Sequence, residues 1–481
     1  MNTDKYELVV GLEVHAQLQT KSKLFCTDST SFGAEPNTQV SPVSLAHPGT
    51  LPKMNSKAIE LAVKLGLALN CSIERNNYFA RKNYFYPDLP KGYQVSQHTA
   101  PVCKGGYVSI ISADTQKNIQ LNRIHLEEDA GKSLHDIDPD YTCIDLNRAG
   151  IPLLEIVTEP CIHSAADAFY FLTELRKTVR WLSVCDGNME EGSMRCDANI
   201  SIRLKGETSL GKRVEVKNLN SIRNVKKAIE IEQERLIALA ENNEPVIQET
   251  RSFDADRQIT FSLRSKEDAD DYRYFPEPDL PPFSISDTYI ESVRNNMPVL
   301  PEQLKDKFMN EYALPVYDAS IICNDKEDAD FFEHLAKLTT NKKAAANWLL
   351  GPLKSYCNEN NITINNFPLN VGSIASLIDL TESGQVNFNN ASTKIMQELI
   401  RNPSSSAAAV AVSLNLVQEK NEASIETWVD EVLASMPDKV KEFKSGKKGL
   451  IGLFAGEVKK RSKGKADMTL VNKLLSEKLQ N

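Results

Sequence analysis

No CxxC pair occurs among the nine cysteines of this chain, and none of their spacings suggests a disulfide framework. Scattered, unpaired thiols suit a reducing compartment and point to the cytoplasm. HExxH, GxSxG and GxGxxG are missing too, so the sequence carries no signature of a helical zinc protease, a nucleophile-elbow hydrolase or a dinucleotide-binding unit. Gly131-Lys132-Ser133 ends like a P-loop, but the position five residues before Gly131, where that loop needs glycine, is Leu126. The backbone nest for phosphate is therefore absent. Long apolar runs are lacking: the longest, around Ala407–Val412, falls far short of the roughly 20 residues of a membrane helix. The start, MNTDKYELVVGLEVH, has neither the basic and apolar regions of a secretory signal nor the Arg/Ser bias of a transit peptide. Membrane, secreted and fibrous classes are excluded as expectations.

What is present is an ordinary globular composition, with 481 residues, 41% hydrophobic and 25% charged. That length corresponds to two to four domains. The formal net charge is −9, which taken alone argues against a nucleic-acid binder. The average conceals an asymmetry. From Val440 to Asn481 there are eleven Lys/Arg against four Asp/Glu, a net of +7, so the preceding residues carry −16. An acidic body with a basic tail suits a protein that meets a polyanion at one end; a solvated helical surface with spare lysines has the same composition.

The hydrophobic period divides the chain. Leu8, Val10, Leu12 and Val14 alternate with Val9, Gly11, Glu13 and His15; Met194, Cys196, Ala198, Ile200 and Ile202 alternate with Arg195, Asp197, Asn199, Ser201 and Arg203; Val214 and Val216 alternate with Arg213, Glu215 and Lys217. Period two indicates half-buried strands, and the scarcity of long crossover helices favours antiparallel pairing. Helical segments are expected at Ser56–Leu69, Ala165–Leu182 and Asn224–Glu241. Prolines 276, 278, 281, 282, 298 and 301 then end the strand pattern. Beyond them the apolar period is helical, through Phe331, Leu335, Leu338, Ala345, Trp348, Leu349, Ile395, Met396 and Leu399. A Pro-Ser break at 402–406 precedes a last helical unit. The expected fold is α+β: an antiparallel-sheet domain over 1–293, an all-α domain over 294–405 and a small helical tail over 406–481.

Several polar residues sit on predicted strand faces. Glu13 and His15 are two apart and project together. Glu127-Glu128-Asp129 closes the strand-like run Ile119–Leu126, and spacing leaves open which of the three faces a site. Glu155 lies inside the apolar run Pro152–Val157, where a carboxylate needs a partner. Asp197 and Asn199 share a face. Carboxylates, a histidine and an amide on one sheet could gather round a hard cation such as Mg²⁺; singly, each also reads as a solvent-facing strand position. Arg81-Lys82-Asn83-Tyr84-Phe85-Tyr86-Pro87-Asp88 sets three aromatics beside two cations, suited to stacking a base or to closing the edge of a core. In the tail, Gly446, Gly449, Gly452 and Gly456 run among Lys444, Lys447, Lys448, Lys459, Lys460, Arg461, Lys463 and Lys465. Glycines would admit a nucleic-acid backbone and lysines neutralise it; close helix packing would explain the glycines alone.

Longer motifs carry a resemblance. The run Asp145-Leu-Asn-Arg-Ala-Gly-Ile-Pro-Leu-Leu-Glu-Ile156 resembles the signature of the GatB family, which supplies one component of the tRNA-dependent amidotransferases. Val10-Gly-Leu-Glu-Val-His15, Arg81–Asp88, His125-Leu-Glu-Glu-Asp-Ala-Gly-Lys132, Met194-Arg-Cys-Asp-Ala-Asn-Ile200 and Asp271-Tyr-Arg-Tyr-Phe-Pro-Glu-Pro-Asp279 are similar to further stretches of that family. Lys444–Gly449 with Ser462–Ala466 resembles its YqeY-like tail. The resemblance implies a cradle-shaped catalytic domain, a helical domain and a tRNA-binding tail. It implies a heterotrimer with an amidase subunit (GatA) and a small subunit (GatC), without a membrane. It also implies a reaction in which ATP, with Mg²⁺, phosphorylates the side-chain carboxylate of Glu-tRNA(Gln) or Asp-tRNA(Asn), and ammonia then displaces phosphate. Carried over, the catalytic positions are Glu13, His15, Glu128, Glu155 and Asp197, the first four as metal ligands; the basic residues of the tail named above contact tRNA. Many family members hold zinc on four cysteines near the N-terminus. Here those positions read Cys26, Asp28, Ser41 and Ser44, so no zinc is expected. The alternative is a scaffold that keeps the fold and tRNA binding without the kinase chemistry. A synthetase is disfavoured by the lack of adenylate-forming motifs.

Overall fold

The computed structural model describes residues 5–97, 99–265, 272–418, 421–462 and 464–480. Lys463 and Asp271 lie outside them. The chain divides into two compact units, Met1–Leu300 and Pro301–Asn481.

The first unit is built on a 13-stranded sheet. Ten strands form its main path: β1 (Tyr6–Gln17), β2 (Ala80–Asn83), β3 (Tyr93–Ser96), β4 (Thr115–Glu128), β5 (Pro152–Thr158), β6 (Met194–Leu204), β7 (Val214–Leu219), β8 (Glu249–Asp254), β9 (Ile259–Ser265) and β10 (Phe275–Pro276). Their order across the sheet is β9-β8-β7-β6-β1-β5-β4-β3-β2-β10, which puts β1 in the interior between β5 and β6. Helices α1 (Ser56–Ala68), α2 (Ala165–Trp181) and α3 (Ile222–Glu241) accompany it, and a shorter helix, Asp287–Asn295, packs against α1. The starts of α1, α2 and α3 are fixed locally, because Asn55, Ser164 and Ser221 each accept a hydrogen bond from a backbone amide of the first turn.

The sheet is mixed rather than antiparallel throughout. β7 and β8 pair in parallel, with Glu215 opposite Thr250 and Lys217 opposite Ser252. The reason is α3, which leaves the end of β7 and returns the chain to the start of β8 as a crossover. Elsewhere the alternation of the sequence is obeyed. Leu8, Val10, Leu12, Val14 and Ala16 of β1, Leu154 and Ile156 of β5 and Met194, Cys196, Ala198 and Ile200 of β6 are all buried. The residues between them lie on the opposite face, which carries Glu13, His15, Glu155, Arg195, Asp197 and Asn199 together with the buried apolar Val9 and Leu153.

In the second unit the helix Lys326–Leu338 buries Phe331, Phe332 and Leu335, whereas Leu338 at its end is 56% exposed. Helix Lys342–Trp348 continues through a wider turn, Leu349–Leu353, where Pro352 cannot supply a backbone donor. Helix Ala407–Ser413 packs against Val371–Glu382. The last helices have a core of their own, made of Ile425, Val429, Val432, Phe443, Phe454, Val458, Val471 and Leu475, so it begins past the expected break at 402–406. No helix among the described residues is long and apolar enough to cross a membrane.

Candidate metal centre and basic tail

Strand register assembles the site. Across β1, His15 lies opposite Glu155 of β5 on one side and Arg195 of β6 on the other, while Glu13 lies opposite Asp197. Glu155 in turn lies opposite His125 of β4. Directly opposed residues share a face, so His125, Glu155, His15 and Arg195 form one row across four strands. The His15 Nε2 is 3.3 Å from Glu155 Oε2, and His125 Nε2 is 3.1 Å from Glu127 Oε1 and 3.7 Å from Glu155 Oε2. Ligand atoms of His15, Glu127 and Glu155 all lie within 4.8 Å of one another. Glu127 also accepts hydrogen bonds from Ser96 (2.6 Å) and Gln94 (3.1 Å).

Of the residues expected from the sequence, His15 and Glu155 therefore meet, and Glu13 and Asp197 lie next along the same face. Glu13 accepts from Asn199 at 2.9 Å, and Asp197 pairs with Lys217 at 3.2 Å. Glu128 does not join them. It shares the other face of β4 with Ile124 and Leu126, pairs with Lys91, accepts from the Val95 amide at 2.9 Å and lines a separate cavity of about 250 Å³ with Lys23, Tyr93 and Glu277. The carboxylate beside His15 and Glu155 is Glu127, and His125 is a second imidazole that sequence reasoning missed.

The cause is a bulge. Val157 of β5 pairs with Arg123 and Thr158 with Leu121, so the register skips Asn122. Ile119 and Leu121 are buried before it and Ile124 and Leu126 after it, a switch from odd to even positions. Counted from Ile119 as an unbroken strand, Glu128 would lie on the polar face; one extra residue exchanges it for Glu127. The signal was legible in the sequence as the change of parity between Leu121 and Ile124.

Charge on this face is balanced unevenly. Burial alone would raise both Glu155 and Glu127, but the charges of His125 and Lys82 hold both down, and the His15 hydrogen bond lowers Glu155 further. Both are kept as carboxylates. For His15, burial favours the neutral ring, yet the hydrogen bond and charge of Glu155 outweigh it and raise the imidazole above its usual range. Glu13 is pushed up by burial and then by Glu155, Glu215 and Asp197. Asp129 is tied to Arg195 (2.9 Å) and Gln17 (2.7 Å), which leaves it little capacity for a further ligand.

Two carboxylates and one imidazole, with ligand atoms within 4.8 Å of one another, form a donor set of a kind that suits a hard divalent cation. The set requires a neutral His15, so a bound cation and the ring proton exclude one another.

The loop at Cys26 is organised differently. Asp28 accepts from the Ser44 hydroxyl at 2.5 Å, the Ser41 amide donates to Ser44 Oγ at 2.9 Å, and the Cys26 thiol is raised by burial, so it stays protonated. Behind it, fully buried Lys23 donates to the carbonyl oxygens of Gln39 (2.7 Å) and Leu146 (3.3 Å) and ties the loop to the body.

In the tail, Lys447 pairs with Glu442 (3.0 Å), Lys460 with Glu457 (2.6 Å) and Arg461 with Glu431 (3.3 Å), and Lys465 donates to Asn415 (2.7 Å). Lys448 rests over the Phe443 ring, and Lys444 and Lys459 are exposed. A Cβ built on Gly449, Gly452 or Gly456 would meet nothing within 4 Å. Close helix packing is therefore not what these glycines serve.

A strand-built polar face on which His15, Glu127 and Glu155 gather is followed along the chain by helices with a basic end. The family model described as the GatB/GatE catalytic domain matches residues 8–291, and one described as the GatB domain, of YqeY type, matches residues 330–479. Relatives named as the B component of aspartyl/glutamyl-tRNA(Asn/Gln) amidotransferase align along nearly the whole chain. That of Thermodesulfovibrio yellowstonii is 48% identical over 98% of both chains, that of Trichlorobacter lovleyi 47% over 99% of both, and that of Bdellovibrio bacteriovorus 46% over 100% of both. The chain belongs to the GatB family. The second match opens at residue 330, so it takes in helices expected to form a separate domain.

Two outcomes follow from the geometry. Glu155→Gln leaves the burial that lowers His15 and removes the Glu155 hydrogen bond and charge that outweigh it, so the His15 midpoint should be lower in the variant than in the wild type. Histidine NMR titration of the two proteins reads this directly. Elemental analysis of protein purified without chelators should find far less than one zinc per chain, because a protonated thiol, a hydrogen-bonded carboxylate and two serines make a poor zinc site.

Proposed function

We propose that this chain is the carboxylate-activating subunit of a tRNA-dependent amidotransferase. ATP would phosphorylate the side-chain carboxylate of glutamate on tRNA(Gln), or of aspartate on tRNA(Asn), and ammonia from an amidase partner would displace the phosphate, leaving the amide. The partners of this reading are that amidase and a small third protein. The observation that carries it is the gathering of ligand atoms of His15, Glu127 and Glu155 within 4.8 Å of one another on the polar face, in a chain nearly half identical to proteins named as amidotransferase components.

Mg²⁺, when bound, would offset the charge of the phosphate oxygens and align them for in-line transfer. His15, Glu127 and Glu155 would hold it. Glu13 and Asp197 lie next along the face, where Asn199 and Lys217 orient them. His125 would fix Glu127 through its 3.1 Å contact, as partners of metal ligands commonly do. In this reading Glu128 is outside the metal set. The tail lysines and Arg461 would meet the phosphates of tRNA, a role supported by glycines that leave the surface around Gly449–Gly456 open. The loop at Cys26 needs no zinc in this reading.

Glu127→Gln and Glu155→Gln should each reduce tRNA-dependent phosphate release from ATP by about a hundredfold or more at saturating Mg²⁺, since each removes a ligand charge at the transferring group. The assembled complex is the material for this assay, and its glutamine hydrolysis should persist. Near wild-type phosphate release by both variants would put the scaffold reading ahead. Deleting residues 421–481 should weaken tRNA affinity and flatten its dependence on salt, by roughly 0.7–0.9 in log K per log salt for each lost phosphate contact. Filter binding across a salt series measures it, and an unchanged slope would remove the tail from the tRNA surface.

A further inference from the structure

Lys82 is a cation without a dedicated anion. Among the described residues its ammonium makes no ion pair within 4.0 Å and no hydrogen bond; it lies 5.8 Å from the centre of the Tyr84 ring and 5.2 Å from that of Tyr272. The two rings stand edge to face, 6.0 Å apart. Aromatic faces attract an ammonium and restrict its movement without neutralising its charge.

The position of this charge is set by the sheet. Lys82 of β2 lies opposite Gln94 of β3, so the two side chains share a face. Gln94 accepts from the Tyr84 hydroxyl at 3.2 Å and donates to Glu127 at 3.1 Å, which links the tyrosine cage to the candidate metal centre. Glu127 and Glu155 are the carboxylates whose charge acts on Lys82. Both are already provided for: Glu127 by Ser96, Gln94 and His125, and Glu155 by His15 and His125. Lys82 adds its charge to both carboxylates but pairs directly with neither, so its ammonium hydrogens are not committed to them.

We propose that Lys82 is the residue that grips the non-bridging oxygens of the phosphoryl group as it is transferred beside His15, Glu127 and Glu155. This rests on the phosphotransfer reading above. In that step an oxygen of the substrate carboxylate bonds to the γ-phosphorus, the bond from that phosphorus to the β–γ bridging oxygen breaks, and ADP leaves with the electron pair. Ammonia then bonds to the acyl carbon, the acyl carbon–oxygen bond breaks, and phosphate leaves with that pair and with one proton from the nitrogen. The acyl phosphate carries one more negative charge than the carboxylate it replaces, and a caged ammonium with no direct ion-pair partner stabilises that added charge. Arginine would retain the charge with a different reach; methionine keeps an unbranched stem one atom shorter and removes the charge.

The test compares the binding of ADP with Mg²⁺ to that of ADP with Mg²⁺ and fluoroaluminate, a mimic of the transferring phosphoryl, by calorimetry on the assembled complex loaded with mischarged tRNA. Lys82→Met should bind ADP with Mg²⁺ as tightly as wild type and lose about tenfold to a hundredfold of the tightening that fluoroaluminate adds. Lys82→Arg should restore part of it. Lys82→Gln repeats the measurement with a second neutral side chain if Lys82→Met fails to fold. An equal fluoroaluminate effect in wild type and neutral variant overturns the role of Lys82 and leaves the phosphotransfer reading standing. No fluoroaluminate effect in wild type overturns that reading itself, and this proposal with it.

Discussion

The two-residue period of β1 governs the first unit. Because successive side chains point to opposite faces, the apolar residues Leu8 to Ala16 commit one face of the strand to the helical side, and Glu13 and His15 must take the other. Placing β1 between β5 and β6 then brings every partner of these two residues from a different part of the chain. His15 meets Glu155 and Arg195, and Glu13 meets Asp197, solely through antiparallel register. A slip of one residue in any of these ladders would turn its polar set toward the helices. The hydrophobic packing behind the sheet therefore specifies the polar constellation in front of it.

Concentrating acids on one face carries an electrostatic cost that is met locally. Glu155 and Glu127 would be raised by burial, and imidazoles and the Lys82 ammonium keep them ionised. Glu13 is raised, because burial and three neighbouring carboxylates outweigh the charge of His15. Along one strand face, then, groups of the same chemical type are tuned in opposite directions by their neighbours. The ionised pair lies where a cation would be ligated. Lys91 is the corresponding compensation for Glu128 on the reverse of β4, so adjacent residues of one strand serve separate environments.

Ligation is not the only means by which this chain closes a loop. At Cys26 a short hydroxyl–carboxylate bond and the two carbonyls gripped by Lys23 bind the loop to the body. Burial of Lys23 lowers its affinity for a proton, and the nearby charge of Asp28 opposes that loss. The tail follows another economy: a small apolar core holds its helices together, and their outer surface carries Lys447, Lys460 and Arg461 paired with acids, while Lys444 and Lys459 stand exposed. Exposed pairs of this kind are weak and can be exchanged for a polyanion at little cost.

Much of this was determined by the sequence. Period two in Leu8–Val14 and Met194–Ile202, helical period past the proline cluster, and caps at Asn55, Ser164 and Ser221 are local properties, and local backbone sterics and solvent exposure suffice to decide them. The pairing of His15 with Glu155 was within reach for the same reason, since each had one face available. The tertiary structure alone decided the rest. Parallel pairing of β7 with β8 depends on where α3 returns the chain. The choice of Glu127 over Glu128 depends on a bulge at Asn122 that β5 imposes on β4, a constraint between segments about thirty residues apart. The cage around Lys82 needs Tyr272, which is brought beside Tyr84 across 188 positions. A sequence specifies which way a side chain faces relative to its neighbours in the chain; only the packing of distant strands specifies what it faces.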